Sequence, residues 1–384
     1  MRGLLLALLC LLLSSCSSLS KYIGSKARPN HFVIEKLWVR NTLSKNYLGF
    51  RHPHRMTSIL YKGMIIEGNA IDGIGAYDRD SGNERWKLLV SGGVEAGAAV
   101  KGDHLLFGGS DGRFYSVDIN TGVESWVFPV NAEILSAPTI EKDVVYFIAG
   151  NNRVYALDVN SGKQLWLYSR RETSTLSIRG GSSPTIAGEN VLVGFSDGFI
   201  AALNKKDGQV VWTAALNNNH RFRDVDAKPV VDGNQVYVAS FDNSLYSINR
   251  ESGKILWKLE KGGYSAVTLT ADKIYFATTQ GEMLCLDKGS GKQLWSYKLS
   301  SGLATQPKLY RGLLVFGEYE GDLKVLDSQS GAFVGKYSPG RGIMSSPLID
   351  QKTGDLYFIS ADANLNAMKL TWKKETERWP WLKL

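Results

Sequence analysis

Apolar and polar positions alternate in short runs along most of the chain, and clusters of Gly, Asn, Asp and Ser separate the runs. Residues 137–168 show the unit. Ala137-Pro138-Thr139-Ile140 opens it, Val144 to Ala149 is apolar and β-branched, Val154 to Asp158 follows a Gly-Asn-Asn turn, and Gln164 to Tyr168 closes it. This pattern predicts four short strands joined by hairpins. Proline opens the first strand of five units, at Pro138, Pro184, Pro229, Pro307 and Pro347, a place where a missing backbone donor is tolerated. No segment reads as a long helix.

The unit repeats. A small residue, an apolar residue and Asp or Asn are followed, after three intervening residues, by Gly, and after three more by Trp. The copies carry Asp78-Gly82-Trp86, Asp118-Gly122-Trp126, Asp158-Gly162-Trp166, Asn204-Gly208-Trp212, Asn249-Gly253-Trp257 and Asp287-Gly291-Trp295; a seventh, Asp327-Gly331, has Gly335 where Trp is expected. A period of roughly 40 residues fits one four-stranded blade of a β-propeller. The chemistry of the motif needs no ligand. Asp or Asn accepts backbone N–H groups two residues on, Gly takes the positive-φ position, and Trp packs between neighbouring blades. Asp158-Val159-Asn160-Ser161-Gly162 superficially resembles a calcium loop, but its glycine stands one place early and the closing glutamate is missing.

The two ends set the blade count. Residues 343–370 supply three strands, 345–349, 355–360 and 365–370, and lack the Trp-bearing fourth. Glu35-Lys36-Leu37-Trp38-Val39-Arg40 has the length and the Trp to complete it. The fold expected is all-β, an eight-bladed propeller of four-stranded blades over residues 31–384, with the ring closed by an N-terminal strand that completes the eighth blade. The placement of residues 371–384, with Trp372, Trp379 and Trp381, is left open.

The first residues change the picture of where this ring works. Arg2, the apolar run Leu4 to Leu13 and Leu13-Ser14-Ser15-Cys16 read as a signal peptide over residues 1–15, because about ten apolar residues are too few to span a bilayer. The last four resemble the bacterial lipobox, which implies a diacylated Cys16 as the mature N-terminus, and Ser17 in place of Asp implies sorting to the outer membrane. Residues 16–30 read as the lipidated cysteine and a flexible tether. With Cys10 removed and Cys16 acylated, Cys285 alone remains in the body, so the exported chain carries no internal disulfide. Cys285 reads as a small core residue. The net charge of +8 is spread without a basic block, which fits an anionic membrane surface or an acidic protein better than nucleic acid.

Catalytic signatures are weak. Gly108 to Gly112 and Gly194 to Gly198 match the spacing of a nucleophile elbow, yet each falls at a hairpin between two strands, where no helix follows the serine. Among the five histidines only His52 and His54 are close in sequence, without carboxylate or cysteine companions that would suggest a metal site. No catalytic, cofactor-binding or metal-binding residue is assigned.

The Ala-Leu-Asp-Xaa-Xaa-Xaa-Gly-Lys-Xaa-Xaa-Trp repeat, as in Ala156 to Trp166, resembles the pyrroloquinoline quinone (PQQ) propeller repeat. Quinoprotein alcohol dehydrogenases share it, which keeps a PQQ-dependent dehydrogenase as the alternative. That resemblance implies an adjacent cysteine pair and a calcium site in the channel, and this body has a single cysteine. A propeller-type adhesin is a third reading. Lipobox, tether, eight blades and length together resemble the BamB family of outer-membrane β-barrel assembly lipoproteins. The family resemblance implies a non-catalytic scaffold that binds the periplasmic POTRA domains of BamA, works with other members of the assembly complex, and aids insertion of unfolded outer-membrane proteins. It also implies partner-binding residues in the two segments that lengthen the repeat. These are Leu176, Ile178 and Arg179 in residues 175–181, and Asp224 and Asp226 in residues 223–229. By their pattern alone, the first set could equally alternate into a strand and the second could be blade-edge turn residues.

Overall fold

A computed structural model describes residues 31–45, 52–170, 181–217, 223–241 and 244–373. The expectations for residues 1–30, for Leu176, Ile178 and Arg179, for His220 and for residues 374–384 fall outside the described residues. Residues 34–370 form one compact unit. Among the described residues every regular element is a strand, and the 32 strands form eight antiparallel four-stranded sheets. Seven blades run in chain order: residues 59–89, 98–129, 139–169, 185–215, 230–259, 268–298 and 308–337. In the eighth, strand His31–Asn41 pairs outside Asn364–Lys373, which is followed inward by Asp355–Ile359 and Leu348–Ile349. The N-terminal strand therefore closes the ring as its Trp38 suggested. Both strands that complete this blade are longer than the motif alone indicated.

Strand pairing explains why each motif position holds its residue type. The small residue faces the Trp across the third and fourth strands: Ala76 pairs Trp86, Ser116 pairs Trp126, Ala156 pairs Trp166, Ala202 pairs Trp212, Ser247 pairs Trp257 and Cys285 pairs Trp295. Cys285 is in the core for its size, and burial pushes its thiol up to about 11. The seventh blade exchanges both partners at once: Val325 faces Gly335, so volume lost on one strand is returned on the other. A bulge follows the small residue in all seven of these blades, and the extra residue increases the local twist.

The motif glycine is where one blade grips the next. Gly82 adopts φ +70°, and a Cβ there would lie 2.7 Å from the Trp38 ring. The same seat recurs at Gly122 against Trp86 and at five later junctions, with gaps of 2.5–2.9 Å. Only glycine meets both demands, a left-handed backbone and contact with an indole face. Trp38, Trp86, Trp126, Trp166, Trp212 and Trp295 each donate the indole N–H to a carbonyl of the following blade at 2.8–3.3 Å. At the closure Arg79 of blade 1 adds ion pairs to Asp350 and Asp355 of blade 8, at 2.9 and 2.6 Å. Apolar cores fill the blade junctions, for example Phe114 stacked on Phe147 with centroids 4.0 Å apart.

Candidate functional site

Inward-facing residues from all eight blades meet around a central cavity of about 400 Å³. One position repeats around its wall, four residues before the residue in register with Thr139. Blades 1, 2, 5 and 6 place Arg55, Glu95, Asp226 and Tyr264 there; the other four blades place Leu135, Gly181, Ala304 and Met344. Three ionisable side chains and a phenol thus converge at one level of the channel.

Arg55 organises this level. Its guanidinium pairs with buried Glu95 at 3.0 Å and lies over the Tyr264 ring, 5.1 Å from the centroid. Tyr264 in turn meets Tyr319 of blade 7 edge-on at 6.1 Å and Phe241 at 6.4 Å. Arg55 is planar, permanently charged and weakly hydrated, so one guanidinium can serve a carboxylate and an aromatic face together. Burial holds the Tyr264 and Tyr319 hydroxyls above their ordinary value, which keeps both neutral donors. The side chains of blades 1, 2, 6 and 7 thereby cross the ring and tie it from within.

The acidic pair expected at the surface occupies the interior. Asp224 is fully buried, and its carbonyl accepts the Phe241 N–H at 3.0 Å. Asp226 lines the cavity beside Lys228; the residue keeps some contact with the cavity, while its Oδ2 is buried without a hydrogen-bond partner. Burial, reinforced by Asp224 and opposed by Arg55, pushes the Asp226 carboxyl up to about 8. Glu67 stands deeper, against the Ser58 hydroxyl, and burial pushes it up to about 8 as well. Sequence reasoning found Asp224 and Asp226 but missed Arg55, Glu95, Tyr264, Tyr319 and Glu67. The available signal was the alignment of blades on their first strands, which puts Arg55, Glu95 and Tyr264 in the column of Asp226.

The features set aside in the sequence have structural roles. Asp78 and Asp158 accept the N–H groups of the two residues following the next, Asp80 and Ser81, Asn160 and Ser161, at 2.8–3.1 Å. Ser110 and Ser196 sit in strand-to-strand turns, where Ser196 accepts the Asn152 amide at 2.6 Å. His54 is buried, accepts the Ala70 N–H at 3.0 Å, and is driven down to about 4 by burial. Among the described residues no group of three or more His, Cys, Asp or Glu side chains could hold a metal ion. With Arg55, Tyr264 and Tyr319 crossing the channel and no cysteine pair in the sequence, this donor set does not fit a calcium-held quinone.

Fold and repeat define the class first: an eight-bladed propeller of PQQ-type repeats whose channel is bridged by its own side chains. A family model described as outer membrane protein assembly factor BamB matches residues 72–297 and 265–334. The chain belongs to this family. It is 28% identical over 203 residues to the outer membrane protein assembly factor BamB of Alkalilimnicola ehrlichii, which covers 51% of this chain and 52% of that protein. The chain thus spans about half the length of the curated relatives it matches. The crystal structure of BamB from Moraxella catarrhalis aligns with a TM-score of 0.75 at 21% identity, over 88% of this chain and all of that one. A quinohemoprotein alcohol dehydrogenase from Pseudomonas putida aligns with a TM-score of 0.70 at 14% identity, over 90% and 78%, and shares the fold alone.

Proposed function

We propose that this chain is a non-catalytic scaffold of outer-membrane protein assembly. It is anchored through acylated Cys16 to the outer membrane, faces the periplasm, binds the POTRA domains of BamA, and aids folding and insertion of β-barrel proteins. The observation that carries the reading is the family match, which runs from the middle of blade 1 almost to the end of blade 7 and takes in both segments that lengthen the repeat. The bridged channel supports it from the other side, since the side chains that occupy the centre are those of a tie across the ring. Leu176, Ile178 and Arg179 are the partner contacts, an arginine beside aliphatic anchors being a composition that suits an interface hot spot. Asp224 and Asp226 act from inside the ring: they shape the inner wall from which the loop before Pro229 emerges, and Asp226 is the one with access to a partner group entering the cavity.

The outer strands add a surface for clients. Leu165, Val211, Leu256 and Leu294 each precede a motif Trp, are 46–54% exposed, and lie on the unpaired edges of blades 3 to 6. Such edges can accept an extended strand from an unfolded chain. Photo-crosslinkers placed singly at Arg179, Leu165, Val211 and Leu256 test both parts in cells. The expected result is capture of BamA from Arg179 and of unassembled barrel proteins from the outer strands. Clients captured on BamA and never from these strands would remove the client surface, and failure to capture BamA from residue 179 would remove the assigned contact.

A further inference from the structure

Two residues beyond the Arg55 column, the innermost segment of each blade turns a second ring of residues toward the axis, and all eight line the cavity. This ring holds Thr57, Ser183, Gln306 and Ser346 among glycine and alanine, and its one charge is Lys228 on blade 5. The ring after it also has one charge, Lys308 on blade 7, whose ammonium donates back to Gln306 Oε1 at 2.8 Å. Carboxyls enter only at the Arg55 level. There Glu95 is paired with Arg55 at 3.0 Å, and Asp226, its carboxyl held at about 8 chiefly by burial, stays protonated at neutral pH. The cavity therefore carries a net positive charge, placed on the arc of blades 5 to 7.

That arc is incompletely satisfied. Lys228 is open to the cavity, and among the described residues no hydrogen bond or ion pair engages it. The surrounding walls hold its ammonium below the ordinary lysine value, and burial together with Lys228 drives Lys308 down to about 8. Ser265 of blade 6, between the two lysine-bearing blades, turns a buried hydroxyl without a partner to the same cavity. The facing arc has the opposite character. Blades 1 to 3 stand across the axis from blades 5 to 7 and present Ile59, Ala96, Ala98, Leu135 and Ala137.

We propose that this cavity binds a small amphiphilic organic carboxylate, its charged end at Lys228 and Ser265 and its apolar body against Ile59, Leu135 and Ala137. A volume of about 400 Å³ suits a ligand of this size. A carboxylate gives Lys228 a counter-ion and the Ser265 hydroxyl an acceptor, and a charge-assisted hydrogen bond is roughly twice as strong as a neutral one. One negative charge matches the site because Lys308 is already engaged by Gln306. The ligand site is independent of the scaffold role, which stands or falls by its own binding measurement.

The test is calorimetric titration of the full mature chain, with Cys16→Ser, using octanoate as the probe. Octanol supplies the apolar part without the charge, and inorganic phosphate the charge without the apolar part. Octanoate should saturate one site, with octanol and phosphate each at least roughly tenfold weaker. Lys228→Met keeps the apolar stem and removes the charge; it should weaken octanoate roughly tenfold or more and leave octanol unchanged. Gln306→Glu, which gives the lysines an internal carboxylate, should weaken octanoate in the same direction at an unchanged far-ultraviolet circular dichroism spectrum. Absence of saturable octanoate binding would overturn the proposal, as would octanoate affinity unchanged by Lys228→Met, or by Gln306→Glu should Lys228→Met not fold. Octanol or phosphate binding as tightly as octanoate would overturn the amphiphile assignment.

Discussion

Trp38→Ala is expected to lower the free energy of unfolding by about 4 kcal/mol, the scale of losing a buried Trp side chain from a core. Trp38 is 7% exposed, packs on the Gly82 seat, and donates its indole N–H to the Arg79 carbonyl at 2.9 Å. What separates it from the other motif tryptophans is connectivity. Trp86 or Trp126 joins blades that remain linked by the chain on both sides, whereas Trp38 sits on the strand that converts an open array into a ring. The substitution should therefore also release strand His31–Asn41, seen as early hydrogen exchange in that strand. Leu37→Ala on the same strand, 44% exposed, should cost less than about 1 kcal/mol. Urea denaturation of both variants decides the matter: equal midpoints would mean that the strand adds no closure.

Stability should fall by about 2 kcal/mol as pH rises from 6.5 to 8, and the double variant Glu67→Gln, Asp226→Asn should flatten that slope. Both carboxyls are held at about 8 by burial, against ordinary values of 4.5 and 3.8. The native chain therefore keeps protons that the unfolded chain releases above the carboxylate range. Stability from these groups is complete below the unfolded values and is lost as pH rises through the folded ones. The chosen window holds most of their titration. His54, driven down to about 4, works in the opposite sense below 6.5, and Lys308, driven down to about 8 by burial and Lys228, begins to offset the loss near the top of the window and does so further above it. Asp78 and Asp158, lowered by hydrogen bonds to the side chain of Arg85 or Ser161 and to turn N–H groups, act at lower pH still. The magnitude is set below the full value of two shifted acids because Asp226 retains contact with the cavity. A flat profile between 6.5 and 8, measured by denaturant titration at several pH values, would mean that both acids are ionised in the folded chain.

What was legible in the sequence was whatever repeats. Six copies of Asp-Gly-Trp or Asn-Gly-Trp, and a seventh with Gly335 in place of Trp, set the blade length, the turn chemistry and the Trp seat, and a stray Trp38 on a strand-like segment revealed the closure. The fit of small residue to Trp was implicit in the same copies and explains the double exchange at Val325 and Gly335. The channel was hidden because it is built from departures. Arg55, Glu95, Asp226 and Tyr264 fall where other blades carry Leu, Gly, Ala and Met, and adjacent residues in the sequence do not show which side faces the axis. Asp224 and Asp226 were found by family resemblance, and period-two alternation alone could not separate an interior wall from an exposed edge. Their burial and the cross-channel Arg55 follow from closing eight blades on one axis.

The central claim is tested most directly by calorimetric titration of the mature chain, with Cys16→Ser, against the POTRA domains of BamA, alongside Arg179→Glu and Asp226→Asn. The account predicts saturable binding at one site, weakened at least roughly tenfold by Arg179→Glu, with a smaller loss from Asp226→Asn. Absence of heat and of complex with the unsubstituted chain would contradict the scaffold assignment, and full binding by Arg179→Glu would contradict the site.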